Sequence, residues 1–150
     1  MELLKMKQVA FTNYGGPEVL EIKSVDIPVP KANEVLIKIV STTVTTTEST
    51  FRMGKPYITR FFTGLTKPKL KSLGEELAGE IIAIGSAVSN FAVGDHVFGT
   101  AGPEFGANAE YICIPEDGVI CTKPTNVTFT EAASSVDGFL TSLPFLRDHG

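Results

Sequence analysis

The chain is poor in cysteine, carries no excess of basic charge and has no long apolar run, and each shortage closes off a class of protein. Cys113 and Cys121 are its only cysteines. They could pair in principle, but without an export signal they read as reduced thiols in or near strands. No apolar run approaches the length of a membrane span, and the opening MELLKMKQV lacks the apolar centre and cleavage site of a signal peptide. The sequence therefore predicts a cytoplasmic protein with no membrane partner. A net charge of -4 with both signs interspersed excludes a general nucleic-acid surface. The one basic cluster, Lys67-Pro68-Lys69-Leu70-Lys71, reads as a solvated loop. A glycine-rich phosphate cradle is missing too. Gly99 to Gly106 lacks the GxGxxG pattern and joins two strands instead of opening a helix. There is no internal repeat and no low-complexity tract.

What is present suits one domain: 150 residues, 43% of them hydrophobic, are enough to enclose a core. Lys7 to Thr12 alternates polar and apolar before the turn cluster Asn13-Tyr14-Gly15-Gly16-Pro17, and Val19 to Ile27 follows as a second strand closed by Pro28 and Pro30. Glu34 to Val44 is a longer strand, with Val35, Ile37 and Ile39 on one side and Leu36 and Val40 on the other. Thr45 to Met53 predicts a short helix of poor intrinsic propensity, since threonine is frequent in it. Tyr57, Phe61 and Phe62 fall in an irregular stretch and read as core filling. Asn108 to Pro115 and Val119 to Thr122 are further strands. Thr128-Phe129-Thr130-Glu131 is a capping box that opens a helix, and a second helical segment around Phe139 to Arg147 should be broken or kinked at Pro144. Short strands separated by turn signals predict a barrel.

Leu73 to Gly99 is the most informative stretch. Glu80 to Ile84 reads as a strand bounded by Gly79 and Gly85, Val93-Gly94-Asp95 as a tight turn needing a positive φ, and His96 to Phe98 as the start of the returning strand. Leu36, Val40, Leu77, Ile81, Ile82, Ile84, Phe91, Val97 and Ile112 are the expected buried residues. Glu75 and Glu76 are adjacent on an extended segment, so their carboxylates should point to opposite sides and need not meet.

The same stretch resembles the medium-chain dehydrogenase/reductase superfamily. Its GroES-like catalytic domain carries G-x-E-x-x-G, matched by Gly74, Glu76 and Gly79. Its V-G-x-x-V-x-x-F-x-x-G-D-x-V is matched by Ile84, Gly85, Val88, Phe91, Gly94, Asp95 and Val97, with Ile for the first Val. Tyr14-Gly15-Gly16-Pro17-Glu18-Val19-Leu20 is similar to the opening hairpin of the quinone oxidoreductase branch. Glu131-Ala132-Ala133 followed by Gly138-Phe139-Leu140-Thr141 resembles its E-A-A…G-x-T segment. Nearly the whole chain is covered. The resemblance implies a mainly β fold with short helices, a GroES-like partly open β-barrel over residues 1–127. Residues 128–150 would be a helical connection leading to a Rossmann domain absent from this chain.

It also implies chemistry. The zinc-using branch binds its metal through positions that here are Thr45, Glu75 and Val136, a set that cannot rebuild a three-ligand N/S site, so no metal is expected. His96 reads as a packed or edge histidine. The zinc-free branch passes hydride from NADPH to quinones, enones and related carbonyl compounds, which makes NADPH the implied cofactor and a homodimer the implied full-length state. Thr45 would supply a donor to the acceptor oxygen, or simply cap the following helix; Thr141 would approach the nicotinamide, or bond its own helix backbone. Glu48 stands where the family has Asp, and Thr50 replaces its tyrosine, while Arg52 and Gly54 match. Two other readings remain: a zinc alcohol dehydrogenase with altered ligands, and a free-standing GroES-like module that binds another protein.

Overall fold

The computed structural model describes residues 4–69 and 72–149. Leu70 and Lys71 of the lysine-rich segment, and the first three residues, lie outside that description. The first two strands, β1 (Lys5–Phe11) and β2 (Leu20–Asp26), form an antiparallel ribbon in register from Lys5 opposite Asp26 to Phe11 opposite Leu20. The main sheet is five-stranded and antiparallel. Its order is β6 (Tyr111–Pro115), β3 (Glu34–Thr42), β4 (Glu76–Ile84), β5 (His96–Thr100) and β7 (Ile120–Thr122). Isolated bridges from Gln8 to Ala109 and from Ala10 to Ser72 fasten the ribbon to the rest. Among the described residues three α-helices accompany the strands: α1 (Thr46–Met53), the single turn α2 (Arg60–Thr63) and α3 (Phe129–His149). The architecture is the mainly β, partly open barrel expected.

Its interior is the inward row of each long strand. Val35, Ile37, Leu77, Ile81, Val97, Ala107 and Ile114 are buried together, with Ile39, Val88, Phe91, Ile112 and Ile120 packed against them from less enclosed positions. Leu36 is buried as well. Val40, at 56% exposure, is not in the core, nor are Ile82 at 37% and Ile84 at 38%. Side chains alternate along a strand, and toward these strand ends only one face is covered, so the apolar residues of the other face meet solvent. Phe91 and Ile112 are half-buried, not enclosed. Tyr57 and Phe61 are also outside the core, at 67% and 72% exposure.

The turn before β5 behaves as its sequence requires, with Gly94 at φ +95°. A second requirement falls on Gly79, whose added Cβ would overlap the Lys38 carbonyl oxygen of the neighbouring strand. The capping box forms: Thr128 Oγ1 accepts from the Glu131 amide at 3.2 Å, and Glu131 Oε2 accepts from the Thr128 amide at 2.8 Å. Beyond it α3 runs unbroken through Pro144, contrary to the expected break. Proline leaves the carbonyl four residues earlier, on Leu140, without its helical partner, and that turn is exposed enough for water to serve instead. Ala132 and Ala133 pack on Ala78 of β4, which seats the first half of α3 against the sheet.

Candidate active site

Acidic side chains from α1, β4 and α3 converge where the barrel meets α3. The helix α1 is held by its ends more than by its composition. Thr45 is its N-cap, with Oγ1 accepting from the Glu48 amide at 3.2 Å, and Arg52 in its last turn donates to the Gly15 carbonyl at 2.8 Å. This places Glu48 inside, at 1% exposure. Asn108 Nδ2 donates to Glu48 Oε2 at 3.0 Å, and Asn108 Oδ1 accepts from Thr42 Oγ1 at 3.3 Å. Among the described residues Glu48 Oε1 has no partner in hydrogen-bonding geometry. Burial pushes the Glu48 carboxyl above its ordinary range; the Asn108 hydrogen bond and the main-chain amides of Glu75 and Gly74 pull less strongly the other way.

Glu75 and Glu76 part company as extended geometry requires. Glu76 is buried, accepting from the Asp137 amide at 2.6 Å and from the Thr43 hydroxyl. Glu75 instead lines a cleft of about 520 Å³ together with Thr47, Phe51, Lys69, Thr100 and Phe105. Among the described residues its carboxyl makes no hydrogen bond or ion pair. Burial, and then the negative charges of Asp137 and Glu76, raise its pKa. Phe51 and Phe105 meet edge-on with ring centroids 5.3 Å apart and give the cleft an aromatic wall. Phe105 reaches that position at φ 56° and ψ -162°, a backbone conformation costly for a residue with a side chain.

The expected site residues are only partly brought together. Thr45 serves as the helix cap, and the cleft is lined two residues further on by Thr47. Thr141 is exposed on α3, with its hydroxyl on Asp137 Oδ1 at 3.3 Å instead of on the helix backbone. Val136 is buried and lines a separate apolar cavity of about 460 Å³ with Phe98, Ile120, Phe139 and Leu140. A hydroxyl used as a cap, a carboxyl in the cleft and a hydrocarbon in another cavity do not fit zinc, and among the described residues no group of three His, Cys, Asp or Glu could hold a metal ion. His96 is exposed, its ring 4.9 Å from that of Phe129. The roles of Asn108, Asp137 and Phe105 carry no sequence signal, because each depends on partners far away in the chain.

A larger cavity, about 760 Å³, separates the ribbon from β3 and β6 and is a poorer candidate. Asp26 and Glu34 in its wall are already bonded to Lys5 and Lys31, and burial raises the Cys113 thiol to about 11, which leaves it unreactive at neutral pH. Cys113 and Cys121 are both free thiols, on the two outer strands of the sheet.

Comparison with known proteins agrees with this picture. The model of the alcohol dehydrogenase GroES-like domain matches residues 31–124. The 2-methylene-furan-3-one reductase of Solanum lycopersicum is 34% identical over 87% of this chain and 34% of its own length. The chloroplastic NADPH-dependent alkenal/one oxidoreductase of Arabidopsis thaliana is 32% identical over 86% of this chain and 34% of its own. Among solved structures, the quinone oxidoreductase from Coxiella burnetii superposes with a TM-score of 0.85 at 31% identity, covering 97% of this chain and 45% of that one. The chain thus spans about a third of the length of these curated relatives. Among the described residues no helix is long and apolar enough to cross a membrane.

Proposed function

The chain belongs to the alcohol dehydrogenase GroES-like domain family, and we propose that it is the catalytic domain of a zinc-independent, NADPH-dependent oxidoreductase that reduces a quinone, enone or related carbonyl compound. The observation that carries this reading is the cleft beside Glu75, which combines an aromatic wall with the hydroxyls of Thr47 and Thr100 and a donor set unsuited to zinc. An apolar wall takes the ring or alkene of such a substrate, and hydroxyl donors suit an oxygen that gains negative charge during reduction. In this reading residues 1–127 form the catalytic domain and residues 128–150 lead toward a nucleotide-binding domain. The complete protein would be a cytoplasmic homodimer.

NADPH, when bound, supplies the hydride. This chain suits only the reacting end of that cofactor. A pyrophosphate needs free amides at a helix N-terminus, yet α1 is capped by Thr45 and α3 by Thr128 with the Glu131 carboxylate beside it. Thr45 and Thr141 are the residues proposed to approach the nicotinamide and the acceptor oxygen. The Thr45 hydroxyl accepts in its cap and keeps its own proton to donate, while Thr141 is anchored by Asp137 on an exposed face of α3. Reading the coding sequence beyond Gly150 tests the proposal: a strand followed by a glycine-rich turn is the expected result. NADPH titration is the companion test, with weak or no binding expected for the present chain. Submillimolar binding would overturn this division of labour, and a stop codon would favour a free-standing binding module.

A further inference from the structure

The cleft holds a second feature beyond its shape. Glu75 is an acid set among apolar and hydroxyl-bearing neighbours, with no hydrogen bond or ion pair to satisfy it among the described residues. Such a group is costly to leave charged, and it is under-used as a donor when neutral. Resting on the function proposed above, we propose that Glu75 is the carbonyl-recognising group of the cleft: its carboxyl donates a hydrogen bond to the oxygen of a bound quinone or enone.

The geometry supports this in three ways. Glu76, the adjacent acid, is fully engaged by the Asp137 amide and the Thr43 hydroxyl, so Glu75 alone of the pair faces the cleft. Phe51 and Phe105 give a flat substrate a surface to lie against, and Thr47 and Thr100 complete a polar rim. The charged groups around Glu75 are mostly acidic: Glu76 next to it at the start of β4, Asp137 from α3 and Glu48 from α1, with Lys69 the one cation lining the cleft among the described residues. Burial first, and then the negative charges of Asp137 and Glu76, raise the pKa of Glu75 and so favour its protonated form, the form a carbonyl oxygen requires. A hydrogen bond of this kind strengthens as charge accumulates on the oxygen, so it would favour reduction as well as binding.

The test uses tetramethyl-1,4-benzoquinone, whose ring positions are blocked against thiol addition, and tetramethylbenzene as the hydrocarbon control. Binding to the chain is followed by NMR, and the C=O stretch of the bound, isotope-labelled quinone by infrared difference spectroscopy. The expected result is a C=O stretch shifted to lower frequency in the native chain, with quinone affinity falling about tenfold as Glu75 ionises. Glu75→Gln, which keeps a donor, should retain the shift and lose the pH dependence that Glu75 imposes; Glu75→Ala should reduce the shift and leave hydrocarbon binding unchanged. An unshifted C=O stretch, or equal quinone affinity in Glu75→Ala, would overturn this role while leaving the proposed function standing. If neither probe perturbs the resonances of Phe51, Phe105 or Thr47, the reading of the cleft as a substrate site falls too.

Discussion

Glu76 on β4 accepts a 2.6 Å hydrogen bond from the Asp137 amide in the middle of α3, so a motif residue of the barrel fastens the C-terminal helix. The same carboxylate takes the Thr43 hydroxyl at the end of β3. Glu76→Ala leaves both donors unanswered in a buried site and is expected to cost about 2–4 kcal/mol. Glu76→Gln, which keeps one acceptor, should cost roughly half as much. Urea titration measures both, and equal, negligible losses would mean that α3 does not depend on this contact.

Glu48 makes stability depend on pH in a definite direction. Its folded pKa is raised above the ordinary 4.5, chiefly by burial, so the folded state holds the proton more tightly than the unfolded chain does. Its contribution is complete below that value and is lost as pH rises through the folded pKa. The stability of the native chain relative to Glu48→Gln should therefore fall as pH is raised from below 4.5 into the range above it. Comparing the two in the same buffers removes the opposite slope from Glu34, whose pKa its hydrogen bonds to the Lys31 amide and side chain lower. A flat difference across this range would contradict the assignment.

Core substitutions should rank by enclosure and not by size. Leu77, with 0% exposure, sits in the main cluster, whereas the larger Phe91 only packs against it. Leu77→Ala is expected to cost about 2–5 kcal/mol and Phe91→Ala less, about 1–3 kcal/mol, since part of the ring already meets water. Denaturant midpoints decide the order.

Two motif glycines should respond differently to alanine. At Gly94 nothing lies within 4 Å of an added Cβ, and only the positive φ opposes it, a cost of about 1–2 kcal/mol. At Gly79 the Cβ overlaps the carbonyl oxygen of Lys38, so β3 and β4 must move apart. Gly79→Ala should be the more destabilising, with weakened hydrogen-exchange protection along the β3–β4 pairing.

The outer half of α3 should make the present chain associate. Phe139, Leu140, Leu143, Phe145 and Leu146 are 46% to 71% exposed along it. A continuous apolar surface of this kind favours self-association. Leu140→Glu with Leu143→Glu should shift sedimentation toward monomer while leaving barrel stability within about 0.5 kcal/mol.

Local chemistry was legible in the sequence wherever it depends on neighbours a few residues apart. The turn at Gly94, the capping box at Thr128 and Glu131, the cap at Thr45, and the opposed directions of Glu75 and Glu76 follow from backbone sterics, short-range hydrogen bonding and strand alternation. They needed no knowledge of the rest of the chain. Tertiary structure alone decided which faces were covered. Ile82 and Ile84 are as apolar as Ile81, yet only Ile81 finds a layer above it. The site was decided in the same way. Asn108 meets Glu48, Phe105 meets Phe51 and Asp137 meets Glu76 across long stretches of sequence, and Val136 turns into a different cavity from Glu75. Such pairings arise from how strands and helices pack once the core closes, and a residue's own chemistry cannot specify a partner that only the closed fold brings near.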